Sequence, residues 1–159
     1  MDDSSQSIMN EYQKGWHIGQ LNLARDFLEA AAVIVDNQGT LSTMRTVVTY
    51  LYGHAIELAL KSILIKNGIL EEDLRGKIGH DLEKALEKAD SYPEKEFFSP
   101  ALREIVAMMG SEYKEKHLEY HPGRPHMTFL PEEIAMQKTV EKFINNLEAR
   151  YRECLCAES

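Results

Sequence analysis

Apolar residues recur every three to four positions along most of this chain, the period of helices buried on one face. Between about Trp16 and Val35 they fall at Leu21, Ala24, Leu28, Ala31, Ala32 and Val35, and Asp36-Asn37-Gln38-Gly39 then supplies turn residues. From about Leu41 to Asn67 the positions Val47, Val48, Leu51, Ala55, Leu58, Ala59, Ile63 and Leu64 cover more than one face. A helix apolar on most sides belongs at the centre of its bundle. Thr40 or Ser42 can cap its start, and Asn67-Gly68 can stop it.

A connector from Ile69 to Gly79 leads to Gly79-His80-Asp81-Leu82, which predicts a third helix with Gly79 or His80 at the cap. Asp81 and Glu83 then fall in the first turn, where carboxylates favour the helix dipole. Leu82, Ala85, Leu86 and Ala89 form its apolar stripe, and Tyr92-Pro93 breaks it. Ser99-Pro100 opens a fourth helix, which runs through Leu102, Ile105, Val106 and Met109 towards His117. After the loop Pro122-Gly123-Arg124-Pro125, Pro131-Glu132-Glu133 starts a fifth, lined by Ile134, Val140, Phe143, Ile144, Leu147 and Tyr151. No strand, repeat or low-complexity tract is legible. The expected fold is all-α, an antiparallel up-and-down bundle of about five helices. It forms one domain over residues 15–153, with flexible segments at 1–14 and 154–159.

Composition narrows the class. A chain of 159 residues with 43% hydrophobic and 28% charged residues is long enough to bury a core without disulfides or metals. The net charge of -8 argues against non-specific nucleic-acid binding, which depends on neutralising phosphates. Cys154 and Cys156, one residue apart, make no disulfide framework. The start is acidic and polar, unlike a signal peptide, and no apolar run approaches the roughly 20 residues needed to span a bilayer. A cytoplasmic protein without a membrane segment is expected.

Three constellations could carry chemistry. Tyr50, His54, Glu57 and Lys61 are spaced by four, three and four, so they share one face of the second helix. Such a row inside a bundle must find partners. It serves either as a network fixing helix register or as the wall of a ligand site. Around Gly79-His80-Asp81, a helix N-terminus could hold an anion, and Arg75 precedes His80 with four residues between them. Arginine and histidine together can bind a phosphate and move a proton. His117 and His121, followed by His126, have helical metal-ligand spacing, but no HExxH pattern accompanies them and no metal is expected. Phosphate-binding glycine loops and Gly-x-Ser-x-Gly are absent.

The run Tyr50-Leu51-Tyr52-Gly53-His54-Ala55-Ile56-Glu57-Leu58-Ala59-Leu60-Lys61, followed by Gly79-His80-Asp81-Leu82, resembles a HEPN domain. The stretch from Tyr113 to Gly123 resembles the segment before the last helix of that family, and the similarity spans roughly Gln20 to Arg150. The resemblance implies an antiparallel helical bundle that dimerises. Many members are metal-independent endoribonucleases of toxin–antitoxin or phage-defence systems, which carry Arg-x4–6-His facing across a dimer cleft. Others are non-catalytic and bind RNA or nucleotides. Here Glu119-Tyr120 stands where the family often has Arg-Tyr, and no arginine precedes His117, His121 or His126 at that spacing.

The expected role is therefore RNA- or nucleotide-related, non-catalytic and homodimeric, with Tyr50, His54, Glu57, Lys61 and Arg124 at the ligand and no cofactor. An antitoxin or nucleotidyltransferase chain is the partner the resemblance implies. The alternatives are an endoribonuclease using Arg75, His80 and His121, with Arg124 on phosphate, and a structural protein-interaction module.

Overall fold

The computed structural model describes residues 15–37, 44–116 and 132–157. Five principal helices account for most of them: α1 (Trp16–Asn37), α2 (Arg45–Lys66), α3 (Leu82–Ala89), α4 (Pro100–Lys114) and α5 (Glu133–Ala157). No strand occurs among the described residues, so the protein is an all-helical bundle. No helix among them is long and apolar enough to cross a membrane.

Helix α2 is the centre. It packs against α1, α3, α4 and α5, and α1 is its most extensive neighbour. From Tyr52 to Ile65 only His54 and Lys61 escape full burial. Burying each Leu or Ile contributes about 1.5–3 kcal/mol, which makes this helix the main apolar anchor of the fold. The other helices are buried on single stripes, as their periodicity predicts: Leu21, Ala24, Leu28 and Ala31 on α1; Leu82, Ala85, Leu86 and Ala89 on α3. On α5 the buried positions are Met136, Val140, Phe143, Ile144, Leu147 and Tyr151. Ile134, expected on that face, is 54% exposed, because Met136 rather than Ile134 falls in phase with Val140 and Phe143.

The ends follow local chemistry. Ser99 Oγ accepts from Leu102 N–H (3.2 Å), with Pro100 at the first helical position. At the C-terminus of α2, Gly68 adopts φ +87°. Its N–H donates to Ile65 O (3.0 Å) and that of Ile69 donates to Leu64 O (2.9 Å). This is a Schellman closure, and it requires the left-handed conformation that glycine adopts without strain.

Several boundaries differ from expectation. Helix α2 begins after Met44, and Thr40 and Ser42 lie outside the described residues. The connector after α2 is itself helical: a turn at Glu71–Asp73 runs into a π-turn at Leu74–Ile78, closed by Gly79 N–H donating to Leu74 O (2.8 Å). Asp81, not Gly79 or His80, is the N-cap of α3, and its side chain accepts from Lys84 N–H (3.1 Å). Tyr92-Pro93 leads into a 3-10 turn at Pro93–Phe97. Helix α5 continues through Cys154 and Cys156 to Ala157, where a flexible tail was expected. Helix α4 ends at Lys114, and His117 lies outside the described residues.

Gly68→Ala should lower unfolding free energy by about 1 kcal/mol in urea titrations, the cost of forcing a Cβ into the left-handed region. Gly76, in the π-turn, has open space where a Cβ would sit and no positive φ, so Gly76→Ala should leave stability unchanged or raise it slightly.

Candidate functional site

The polar row of α2 faces inward and converges on Glu57, whose side chain is 2% exposed. Lys61, one turn on, donates to Glu57 Oε1 (2.5 Å). Tyr113, from the last turn of α4, donates its hydroxyl proton to Glu57 Oε2 (2.5 Å). His80, from the residue pair that enters α3, places Nδ1 3.2 Å from both carboxylate oxygens. His54 Nδ1 lies 2.9 Å from the Tyr113 hydroxyl and 3.4 Å from Glu57 Oε2. Three separate elements thus meet on one carboxylate.

Proton counting fixes the tautomers. The single Tyr113 hydroxyl proton goes to Glu57, so His54 Nδ1 must be the donor to the tyrosine oxygen. An ionised carboxylate only accepts, so His80 Nδ1 is also protonated. Both imidazoles therefore commit Nδ1–H to the cluster, which leaves Nε2 as the remaining ring nitrogen of each. They differ in access: His54 stacks on Tyr50 (5.9 Å, 10°) and meets the edge of Phe27 (4.4 Å), whereas the His80 side chain is 49% exposed. Tyr50 stacks in turn on Tyr113 (5.9 Å, 27°), which continues the aromatic wall.

Burial alone would push the Glu57 carboxyl up, since it penalises the charged form. The His54 imidazole 3.4 Å away, the charge and hydrogen bond of Lys61, and the Tyr113 hydroxyl outweigh burial and hold the group well below the usual carboxylate range. Glu57 is therefore held as an anion, and its partners are organised around that charge.

Backbone shape permits the approach of Tyr113. A Cβ on Gly53 would lie 2.7 Å from Met109 Cε and 2.9 Å from the Tyr113 ring. Only a residue without a side chain lets α4 close on α2 at this level. The other end of α2 carries a second buried acid. Glu94, 1% exposed and supplied by the 3-10 turn, accepts from Lys66 Nζ (2.5 Å) and Asn67 Nδ2 (3.3 Å). Lys66 also lies over the Tyr151 ring (5.1 Å), whose hydroxyl meets Ser62 Oγ (3.1 Å).

Of the residues singled out from sequence, Tyr50, His54, Glu57, Lys61 and His80 come together. Arg75 does not join them. Its guanidinium is 81% exposed and pairs with Glu71 one turn back, so the Arg75–His80 spacing does not produce a joint site. An open anion site at the start of α3 is also absent, because the Asp81 carboxylate itself caps that terminus and is bound by Lys114 (2.8 Å). His121 and Arg124 lie outside the described residues, as do His117 and His126. Tyr113 and the Lys66–Glu94 pair were not anticipated. Gly53 beside His54 was the available signal for Tyr113; nothing in the spacing pointed to Glu94.

Glu57→Ala removes the acceptor for three groups, Lys61, Tyr113 and His80, and should destabilise the protein by about 3 kcal/mol. The folded-state value of Glu57 lies below its ordinary 4.5, so the stability it contributes is complete above that pH and is lost as pH falls below it towards the folded value. Glu57→Gln should flatten this acid limb of a pH–stability profile; an unchanged limb would remove Glu57 as its source. In Gly53→Ala, displacement of Tyr113 should cost about 1–3 kcal/mol and shift the His54 ring resonances in NMR spectra.

Comparison of the chain with known protein families, with characterised proteins and with solved structures finds no match.

Proposed function

We propose that this protein is a HEPN-like helical domain with an RNA- or nucleotide-related role, non-catalytic and homodimeric. The observation that carries the reading is the convergence of Tyr50, His54, Lys61 and His80 around Glu57. A nucleotide offers a flat π-surface and an anionic phosphate. Stacked rings beside a lysine and a half-exposed histidine complement both. Binding is favoured over turnover because the acidic and basic atoms aimed at Glu57 are engaged with one another, and Arg75 is committed to Glu71.

The endoribonuclease reading has one specific observation in its favour. Glu57 holds His80 by Nδ1, the His80 side chain is half-exposed, and the remaining nitrogen, Nε2, is the one a general base would use. Here His80 or His121 would take the proton and Arg75 or Arg124 would meet the phosphate. The pairing of Arg75 with Glu71 weighs against its part in that set.

Incubating the purified protein with mixed RNA in EDTA separates the readings. The binding reading expects no cleavage; cleavage abolished by His80→Ala would replace it with the nuclease. A nucleotide at 100 times its Kd should stabilise the protein by about 2.7 kcal/mol in a thermal-shift series, and Tyr50→Ala should weaken that binding by about 1–3 kcal/mol. No shift with any nucleotide or single-stranded RNA would leave a protein-interaction module. Native mass measurement checks the homodimer.

A further inference from the structure

A cavity of about 440 Å³ lies between the connector after α2 and helix α3, and none of its lining residues belongs to the Glu57 cluster. That volume falls in the usual range for small-molecule sites. Ile69 and Ile78 provide apolar wall, and Lys84 and Lys88, one turn apart on α3, stand at its rim. Lys77 also lines it but is paired with Asp73 (2.8 Å), which cancels its charge locally. Glu87 is the remaining acid. Among the described residues neither Lys84 nor Lys88 has a carboxylate at ion-pair distance. The cavity therefore keeps a positive excess on a protein whose net charge is -8.

A second observation marks the same place. Lys77 and Ile78 come from the π-turn at Leu74–Ile78. π-Turns are rare, weaker than α-helical turns and concentrated at functional sites. No aromatic ring lines the cavity, so a nucleobase has no stacking platform there.

We infer that this cavity binds a small organic anion, with one phosphate or carboxylate held between Lys84 and Lys88 and an aliphatic body against Ile69 and Ile78. Lysine ammonium groups read charge rather than planar geometry, so both headgroups fit the same chemistry. This site is independent of the nucleotide reading and survives its failure.

Titration of the isotope-labelled full chain with octyl phosphate, octanoate, inorganic phosphate and octanol tests it by NMR. Octyl phosphate or octanoate should shift the backbone amides of Ile69, Ile78, Lys84 and Lys88. At least one should bind about tenfold more tightly than inorganic phosphate or octanol; which one does so identifies the headgroup. The double variant Lys84→Gln with Lys88→Gln, at two exposed positions, should lose that advantage without changing octanol binding. No shifts at millimolar ligand, shifts at Tyr50, His54 and His80 instead, or undiminished affinity in the double variant would each overturn the assignment.

Discussion

A carboxylate taken out of water on the most buried helix sets the terms for everything packed around it. Removing one ion from water costs several kcal/mol even after relaxation, and the cost is offset only when charge and hydrogen bonds are both supplied in good geometry. Glu57 obtains these from Lys61 on its own helix, Tyr113 on α4 and His80 at the entrance to α3. The apolar stripes of α3 and α4 would tolerate sliding by small distances. The carboxylate would not, because donors from three separate elements reach it at hydrogen-bond length. Hydrophobic burial brings the helices together; Glu57 determines their relative level. Glu94 has the corresponding place at the far end of α2, tying the 3-10 turn to Lys66 and Asn67. One buried acid thus sits at the middle of the central helix and the other at its C-terminal end, each tying neighbouring elements to it.

The apolar period and the polar row on α2 were legible in the sequence because both are properties of a single helix. Spacing of three and four is enough to place Tyr50, His54, Glu57 and Lys61 on one face, and α2 is otherwise so apolar that the row had to be buried with it. Partners across the bundle were not legible. The spacing along one helix cannot tie Tyr113 on α4 to Glu57 on α2. His80 was grouped with Arg75 by proximity along the chain, but the connector is helical and sends Arg75 to Glu71 while His80 turns to Glu57. Glu94 belongs to a five-residue 3-10 turn, too short to show a period. Ile134 failed for a different reason: near a helix start a one-position shift in phase moves a side chain from the core to the surface, and Met136 took the buried place.

The direction of the hydrogen bonds bears on what the cluster can do. Protons run from His54 to Tyr113 to Glu57, and from Lys61 and His80 to the same carboxylate. Every donor points inward and the terminus is a strongly held anion. Such a network stores no proton for release at its centre. Aromatic neighbours cover His54 on two sides. His80 is the more exposed of the two imidazoles at this carboxylate.

The setting of His80 limits how it can meet a phosphate. A free helix N-terminus would contribute backbone N–H groups and the positive end of the dipole. Here Asp81 caps α3 with its own carboxylate and Lys114 binds that carboxylate from α4, so the terminus offers neither. Recognition of an anion at this end of the bundle must then come from side chains alone. That favours a weak, charge-dependent contact made by a histidine which Glu57 keeps oriented, with selectivity arising from the rings of Tyr50 and His54 beside it. The same logic separates this wall from the lysine-rimmed cavity behind the π-turn, where aliphatic surface replaces aromatic surface and two ammonium groups stand at the rim. The aromatic wall on α2 and the two lysines on α3 thus differ in the chemistry they present.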